Sequence, residues 1–254
     1  MNETTSLTLV HKERLSDSLL RLDLAMPNQS IWHFHEGQYA TLSFAPALKP
    51  RHYSIADHAG KKTARFFIRI GNRESHTERY LEQNLNTGDP VELLDISGNT
   101  HIASLDESAA PLTMIAGGTG ISQTLAFLYA LKKRQDRRPI QLVFGDRLLN
   151  DNSLLREVLE HCASLNMAGL VLCSDQAPTL SQMADINIHQ GSVLDGLGRI
   201  EAQHPDTVYV ISGPFPMAEA IIEALKLKGV TSSRILSDYK EIAPQQNKDR
   251  SHGT

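Results

Sequence analysis

Cysteine is nearly absent from this chain: Cys162 and Cys173 are the two among 254 residues. Two cannot build the disulfide framework of a small secreted domain, nor the four-cysteine ligation of an iron–sulfur cluster. No run of 18 or more apolar residues occurs, so no segment reads as a membrane-spanning helix, and residues 1–6 are polar rather than signal-like. A reducing, cytoplasmic setting without a membrane partner is the expectation. A strong excess of either charge is missing as well, with 25 Lys and Arg against 29 Asp and Glu. Nucleic-acid binding needs clustered cations to neutralise phosphates, and this balance argues against it. One basic run does occur: Lys132, Lys133, Arg134, Arg137 and Arg138. It closes a helical segment, where cations complement the helix dipole; a docking patch for an acidic partner is the alternative.

What is present suffices for packed cores. Hydrophobic residues make up 41% and charged residues 21%, and the length suits two domains. From Leu7 to Ser97 the apolar residues fall in short strand-like runs. These runs hold Leu19, Leu20, Leu22 and Leu24; Tyr39, Leu42 and Phe44; Phe66, Phe67, Ile68 and Ile70; and Val91, Leu93 and Leu94. Turn signals separate them, and one helix interrupts them from Thr77 to Leu85. Short strands with little helix predict an antiparallel β-barrel. From Pro111 the pattern becomes strand, helix, strand, helix, which predicts a parallel sheet covered on both faces, an α/β nucleotide-binding domain. The expected division is 1–105 for the barrel, 106–242 for the α/β domain and 243–254 for a polar, disordered tail.

Three segments carry candidate chemistry. Gly117-Gly118-Thr119-Gly120 follows an apolar strand and opens a helix, where glycines admit close backbone approach and the first amides favour an anion such as pyrophosphate. A turn that merely needs glycine for steric reasons is the competing reading. Arg51-His52-Tyr53-Ser54 offers a fixed cation, a ring and a hydroxyl on one extended segment, with Arg51 and Tyr53 on one side and Ser54 on the other. That set suits a ligand with a diphosphate and a flat ring. Ser212-Gly213-Pro214-Phe215-Pro216-Met217 ends a strand and starts a helix with proline in its first turn. In a parallel sheet its rim is shared with Gly117.

In this order and spacing, the three motifs resemble the ferredoxin–NADP reductase superfamily over about residues 6–242. The resemblance implies a flavin-binding barrel followed by an NAD(P)-binding domain, and an NAD(P)H-dependent flavin oxidoreductase using FAD, or FMN or riboflavin as substrate, with NADH or NADPH. Carried over to this chain, it places Arg51 on the flavin phosphates, and Tyr53 and Ser54 as catalytic residues against the flavin ring and its reactive nitrogen, with Ile55 beside them. Ser75, His76 and Thr77 fall in the flavin-phosphate region, although the usual Gly-Gly-x-x-Ser is absent and Glu74 and Glu78 flank the site. Gly117, Gly118, Thr119 and Gly120 would face the nicotinamide–diphosphate portion, and Gly213, Pro214 and Met217 the nicotinamide pocket.

Departures from the pattern shape the rest. Ser212 stands where many relatives have cysteine, and Ser122-Gln123 where many have Ala-Pro; relatives that reduce free flavins share the first change and a serine after the glycine turn. A terminal aromatic over the flavin is missing, and Tyr239, 15 residues from the end, is its nearest substitute. Arg147 could reach an adenosine 2′-phosphate, while Asp146 beside it would discourage one, so the choice between NADH and NADPH stays open. The electron acceptor is equally open. It is free flavin released to an oxygenase or ferric iron, or a ferredoxin, flavodoxin or oxygenase component served by bound FAD; a non-catalytic flavin- or nucleotide-binding protein is the third alternative. His33 and His35 share an expected strand face, but no third ligand stands at metal spacing, so no zinc site is expected.

Overall fold

A computed structural model describes residues 4–71, 74–105, 109–146, 153–174, 187–200 and 204–239. The expected tail at 243–254 lies outside them, as does Arg147.

Six antiparallel strands form the first layer: β1 (Thr5–Ser16), β2 (Leu19–Ala25), β3 (Tyr39–Ser43), β4 (Arg51–Ser54), β5 (Thr63–Arg69) and β6 (Pro90–Ser97). Their order across the sheet is β4-β3-β6-β1-β2-β5. The two ends of this sheet meet where the Ala56 amide donates to the Arg65 carbonyl at 2.9 Å, which curls it into a barrel. Alternation along β2 explains its inner face: Leu20, Leu22 and Leu24 are buried, while Arg21 and Asp23 pair with each other outside. Trp32 fills the barrel core and donates its indole N–H to the Leu24 carbonyl. Helix α1 (His76–Gln83) lies between β5 and β6.

The continuous run Phe66-Phe67-Ile68 breaks the alternation for a reason. Phe66 and Ile68 pack inside the barrel, whereas Phe67, together with Leu19 and Ala56, packs into the core of the second layer. Burying a phenylalanine fully is worth about 1.5–3 kcal/mol, so this outward face ties the two layers together.

That second layer is a parallel sheet of β7 (Leu112–Gly117), β8 (Ile140–Gly145), β9 (Met167–Ser174), β10 (Asn187–Gln190), β11 (Val208–Ser212) and β12 (Ile235–Leu236), ordered β10-β9-β8-β7-β11-β12. Every residue of β7 and β8 is buried, as expected for central strands covered on both faces. Helices α2 (Ile121–Lys133) and α3 (Ser153–Cys162) cover one face against Met114, Leu142 and Phe144. Helices α4 (Val193–Leu197) and α5 (Phe215–Leu227) cover the other against Ile115 and Val143. Among the described residues, no helix is long and apolar enough to cross a membrane.

Two local differences from the sequence reading have simple causes. His33 and His35 lie in extended coil rather than on a strand, and His35 stacks on His101 with ring centroids 4.9 Å apart. β1 shows buried apolar side chains at Leu7 and Leu9 and then turns largely polar, so it is the barrel strand least marked in the sequence. No group of three metal-ligating side chains occurs among the described residues.

Candidate functional site

The strand order reverses direction at β7: the chain runs outward through β8, β9 and β10, then returns to the other flank with β11. Such a switch opens a crevice at the carboxyl ends of the two strands. Here the crevice measures about 720 Å³, within the range of small-molecule sites. Gly117, Gly118, Thr119 and Gly120 line one wall and Gly213, Pro214 and Met217 another, while Tyr53 and Ser54 come from the barrel.

The glycines serve contacts within the protein first. A Cβ at Gly117 would collide with the Met217 thioether, and one at Gly120 would stand 2.5 Å from the Ser212 carbonyl and 2.6 Å from the Gly213 amide. So Gly117 and Gly120 let the two rim motifs close on each other, and ligand approach is not their first duty. Ser212, buried, donates its hydroxyl to the Gly120 carbonyl at 2.9 Å and locks the same junction. Gly118 adopts φ +55°, a left-handed conformation that admits glycine readily. A 3-10 turn over Gly118–Gly120 leads straight into helix α2, the Ile121 amide donating to the Gly118 and Thr119 carbonyls, and this turn, which carries no side-chain cap, meets the crevice.

On the barrel side, β4 ends at the crevice, and the adjacent residues His52, Tyr53 and Ser54 all line it. Ser54 pairs across the ladder with Tyr39, and His52 bonds Thr41. Burial raises the affinity of the Tyr53 phenol for its proton; the Arg51 charge opposes this and the Glu78 charge adds to it. The Ile55 side chain is fully buried among the barrel leucines and is not among the residues lining the crevice.

Arg51 opens into a second cavity of about 430 Å³, together with Ser75, His76 and Thr77. The guanidinium Nε donates to the Thr77 hydroxyl at 3.2 Å. This bond brings the strand motif and the helix start together across 26 positions of sequence. Ser75 caps α1 by accepting the Glu78 amide.

Two residues of the site, Arg69 and Asp238, had no signal in the sequence, and Gln123 carried one only as a departure from the family pattern. Arg69, at the end of β5, reaches over Gly118 and forms an ion pair with Asp146 at 2.9 Å, joining barrel to α/β layer across the crevice. Gln123 is buried and directs its amide at the Gly37 carbonyl (2.7 Å), the Thr100 carbonyl (3.1 Å) and Asp238 (3.2 Å). Asp238, also buried, accepts from the amides of Asn99 and Thr100. This anchors the segment bearing Tyr239, whose ring lies 5.5 Å from that of Phe215 at the crevice. Cys173 lines the far end with its thiol pushed up to about 11, chiefly by burial, so it is no nucleophile at neutral pH.

The basic run changes character in three dimensions. Arg138 is buried and gives its Nε to both carboxylate oxygens of Asp136, so it adds nothing to a surface patch. Lys132 and Lys133 sit at the carboxyl end of a 13-residue helix, about 20 Å from the glycine turn at its other end.

The profile of the oxidoreductase NAD-binding domain matches residues 114–223. The reductase component of propane 2-monooxygenase from Rhodococcus jostii (strain RHA1) is 24% identical over 226 residues, covering 89% of this chain and 60% of that protein. This chain thus spans about three fifths of that relative's length. Among solved structures, the Amycolatopsis cytochrome P450 reductase superposes with a TM-score of 0.76 at 22% identity, covering 92% of this chain and 68% of the other. The ferredoxin reductase of a carbazole 1,9a-dioxygenase gives 0.75 at 19%, with the same coverage. Residues 114–223 thus match the oxidoreductase NAD-binding domain family, and over 92% of its length the chain shares the fold of these two reductases.

Proposed function

We propose that this protein is an NAD(P)H-dependent flavin oxidoreductase serving an oxygenase or a related electron acceptor. In this reading residues 1–105 hold the flavin and residues 106–242 the pyridine nucleotide. One observation carries the reading: Tyr53 and Ser54 of the barrel face the Gly117 turn and the Gly213–Met217 segment across a single crevice.

The residues fit both groups. The crevice offers a flat ring and a hydroxyl on one wall, and on another the glycine turn Gly117–Gly120 that leads into α2, where backbone can approach a diphosphate closely. Bound together, the nicotinamide and the flavin supply the chemistry, a hydride transfer that needs no general acid–base pair from the protein. This chain's residues orient and enclose. Tyr53 packs against the ring and Ser54 donates a hydrogen bond to it. Gly118 and Thr119 present amides to the diphosphate, and Arg69 lies over that turn. Met217 and Pro214 fill the rim beside the nicotinamide. The relatives named above are reductase components of oxygenase systems, which supports an oxygenase as the destination of the electrons.

The test is an absorbance spectrum of the purified protein, followed by NADH and NADPH oxidation with and without added FAD, FMN or riboflavin. Flavin-dependent oxidation of either nucleotide is the expected result. No oxidation under any of these conditions would favour a non-catalytic nucleotide-binding role and discard the proposal.

A further inference from the structure

Arg65, Phe67 and Arg69 stand at alternate positions of β5 and so share one face of the strand, the face turned to the α/β layer. Their surroundings differ. Arg65 is bound to Glu157 of α3, which also takes the Tyr129 hydroxyl, and Phe67 is packed in the core of the second layer. Arg69 ends the row at the crevice. Its Nη2 reaches both carboxylate oxygens of Asp146, at 3.1 and 2.9 Å, immediately after the end of β8. Arg69 and Asp146 both line the crevice, whereas Arg65 and Glu157 do not.

The same nitrogen lies against the turn assigned above to the nucleotide diphosphate. A Cβ built on Gly118 would stand 3.2 Å from Nη2, so the guanidinium rests on the bare backbone of the turn. An anion settling there meets the nitrogen that Asp146 holds. A guanidinium binds carboxylate and phosphate through the same donors, so the two compete for it on equal chemical terms. The Arg69 side chain keeps 35% of its surface open to solvent while Asp146 keeps 11%, which makes the guanidinium the member of the pair that a ligand can reach.

We propose that Asp146 stands in for the nucleotide diphosphate: it holds Arg69 before nucleotide binds and gives the guanidinium up when a diphosphate occupies the glycine turn. Binding then exchanges an ion pair between barrel and α/β layer for a contact to the ligand, and Asp146 sets nucleotide affinity by competition. The proposal rests on the nucleotide site assigned above to the Gly117–Gly120 turn.

The experiment uses the purified full chain and ADP-ribose, which carries the diphosphate without a nicotinamide, so that no turnover enters the reading. Asp146→Asn should tighten ADP-ribose about five-fold, the upper range for a partly exposed ion pair. The same substitution should lower the melting temperature of the chain without nucleotide by about 2–4 °C. With saturating ADP-ribose the loss should shrink to within about 1 °C, because the bound state has already given the pair up. Repulsion between Asp146 and the phosphates, without competition for Arg69, would tighten binding yet leave the nucleotide-free melt unchanged, and would overturn the proposal. Glu157→Gln is the control: its pair lies off the crevice, and it should lower both melting temperatures alike. Arg69→Gln keeps the test decisive should Asp146→Asn not fold. It should weaken ADP-ribose about ten-fold, the loss of one charge-assisted contact, and wild-type affinity in it would overturn the proposal. Equal affinity in wild type and Asp146→Asn, or a stability loss that persists at saturation, would overturn it too, and the nucleotide site would stand. Failure of the wild-type chain to bind ADP-ribose, NADH or NADPH would sink the site and the proposal together.

Discussion

Arg65 on β5 of the barrel grips Glu157 on α3 of the α/β layer, its Nη1 lying 2.6 and 2.9 Å from the two carboxylate oxygens across 92 positions of sequence. Tyr129 on α2 donates its hydroxyl to the same carboxylate. Burial works to raise the pKa of Glu157, but the Tyr129 hydrogen bond and the Arg65 charge prevail and hold it below the usual glutamate value. A depressed folded pKa means a stability contribution present at neutral pH and lost as pH falls below about 4.5 through the folded value. Glu157→Gln should therefore lower stability at pH 7 by about 1–3 kcal/mol and flatten the acid limb of the denaturation curve. Urea titrations at a series of pH values check this. An unchanged acid limb would remove the pair from the account of interlayer stability.

The collision expected between Met217 and any side chain at position 117 makes a second prediction. Gly117→Ala should destabilise by about 1–3 kcal/mol, the usual range for overpacking. Adding Met217→Ala should return most of it, because the obstructing thioether is gone. Thermal melts of the two single variants and the double variant decide; strictly additive losses would mean the glycine is needed for something other than Met217.

Ser54 gives a test of turnover against affinity. A single hydrogen bond to a group that gains charge is worth about 1.5–3 kcal/mol, so Ser54→Ala should cut turnover roughly ten- to hundred-fold. Flavin affinity should move far less. Wild-type turnover in this variant would discard the role assigned to the hydroxyl.

The Gln123 and Asp238 pair predicts non-additivity. Gln123→Leu leaves the Gly37 and Thr100 carbonyls without their side-chain donor, and Asp238→Ala leaves the Asn99 and Thr100 amides without their acceptor. Each should cost about 1–3 kcal/mol, and the double variant less than the sum by 0.5 kcal/mol or more, as neighbours in one network do. Equilibrium denaturation measures all three, and simple additivity would show that the two do not act as one unit.

Much of this architecture was legible locally. The alternation of Leu20, Leu22 and Leu24, the buried runs at Leu112 and Ile140, and the glycine turn before α2 each announce their element from spacing alone. The three rim and barrel motifs likewise lie where strand order requires. What could not be read was set by distance along the chain. Arg69 meets Asp146 across 77 residues, and Thr100 meets Asp238 across 138. No periodicity encodes such pairs. Phe67 was ambiguous for a related reason: its outward face is buried only because a second layer arrives there. Short elements also escaped; α4 has five residues and is held by the Ser192–Asp195 capping box rather than by a hydrophobic repeat.

The buried carboxylate of Asp238 has one more consequence. Its amide partners sit in the loop that leaves the barrel, and its side-chain partner sits on the first turn of α2, so one carboxylate near the end of the described chain joins both layers at once. A chain cut just before Asp238 should therefore open that junction, and limited proteolysis of the shortened chain is expected to cut there sooner than in the full one.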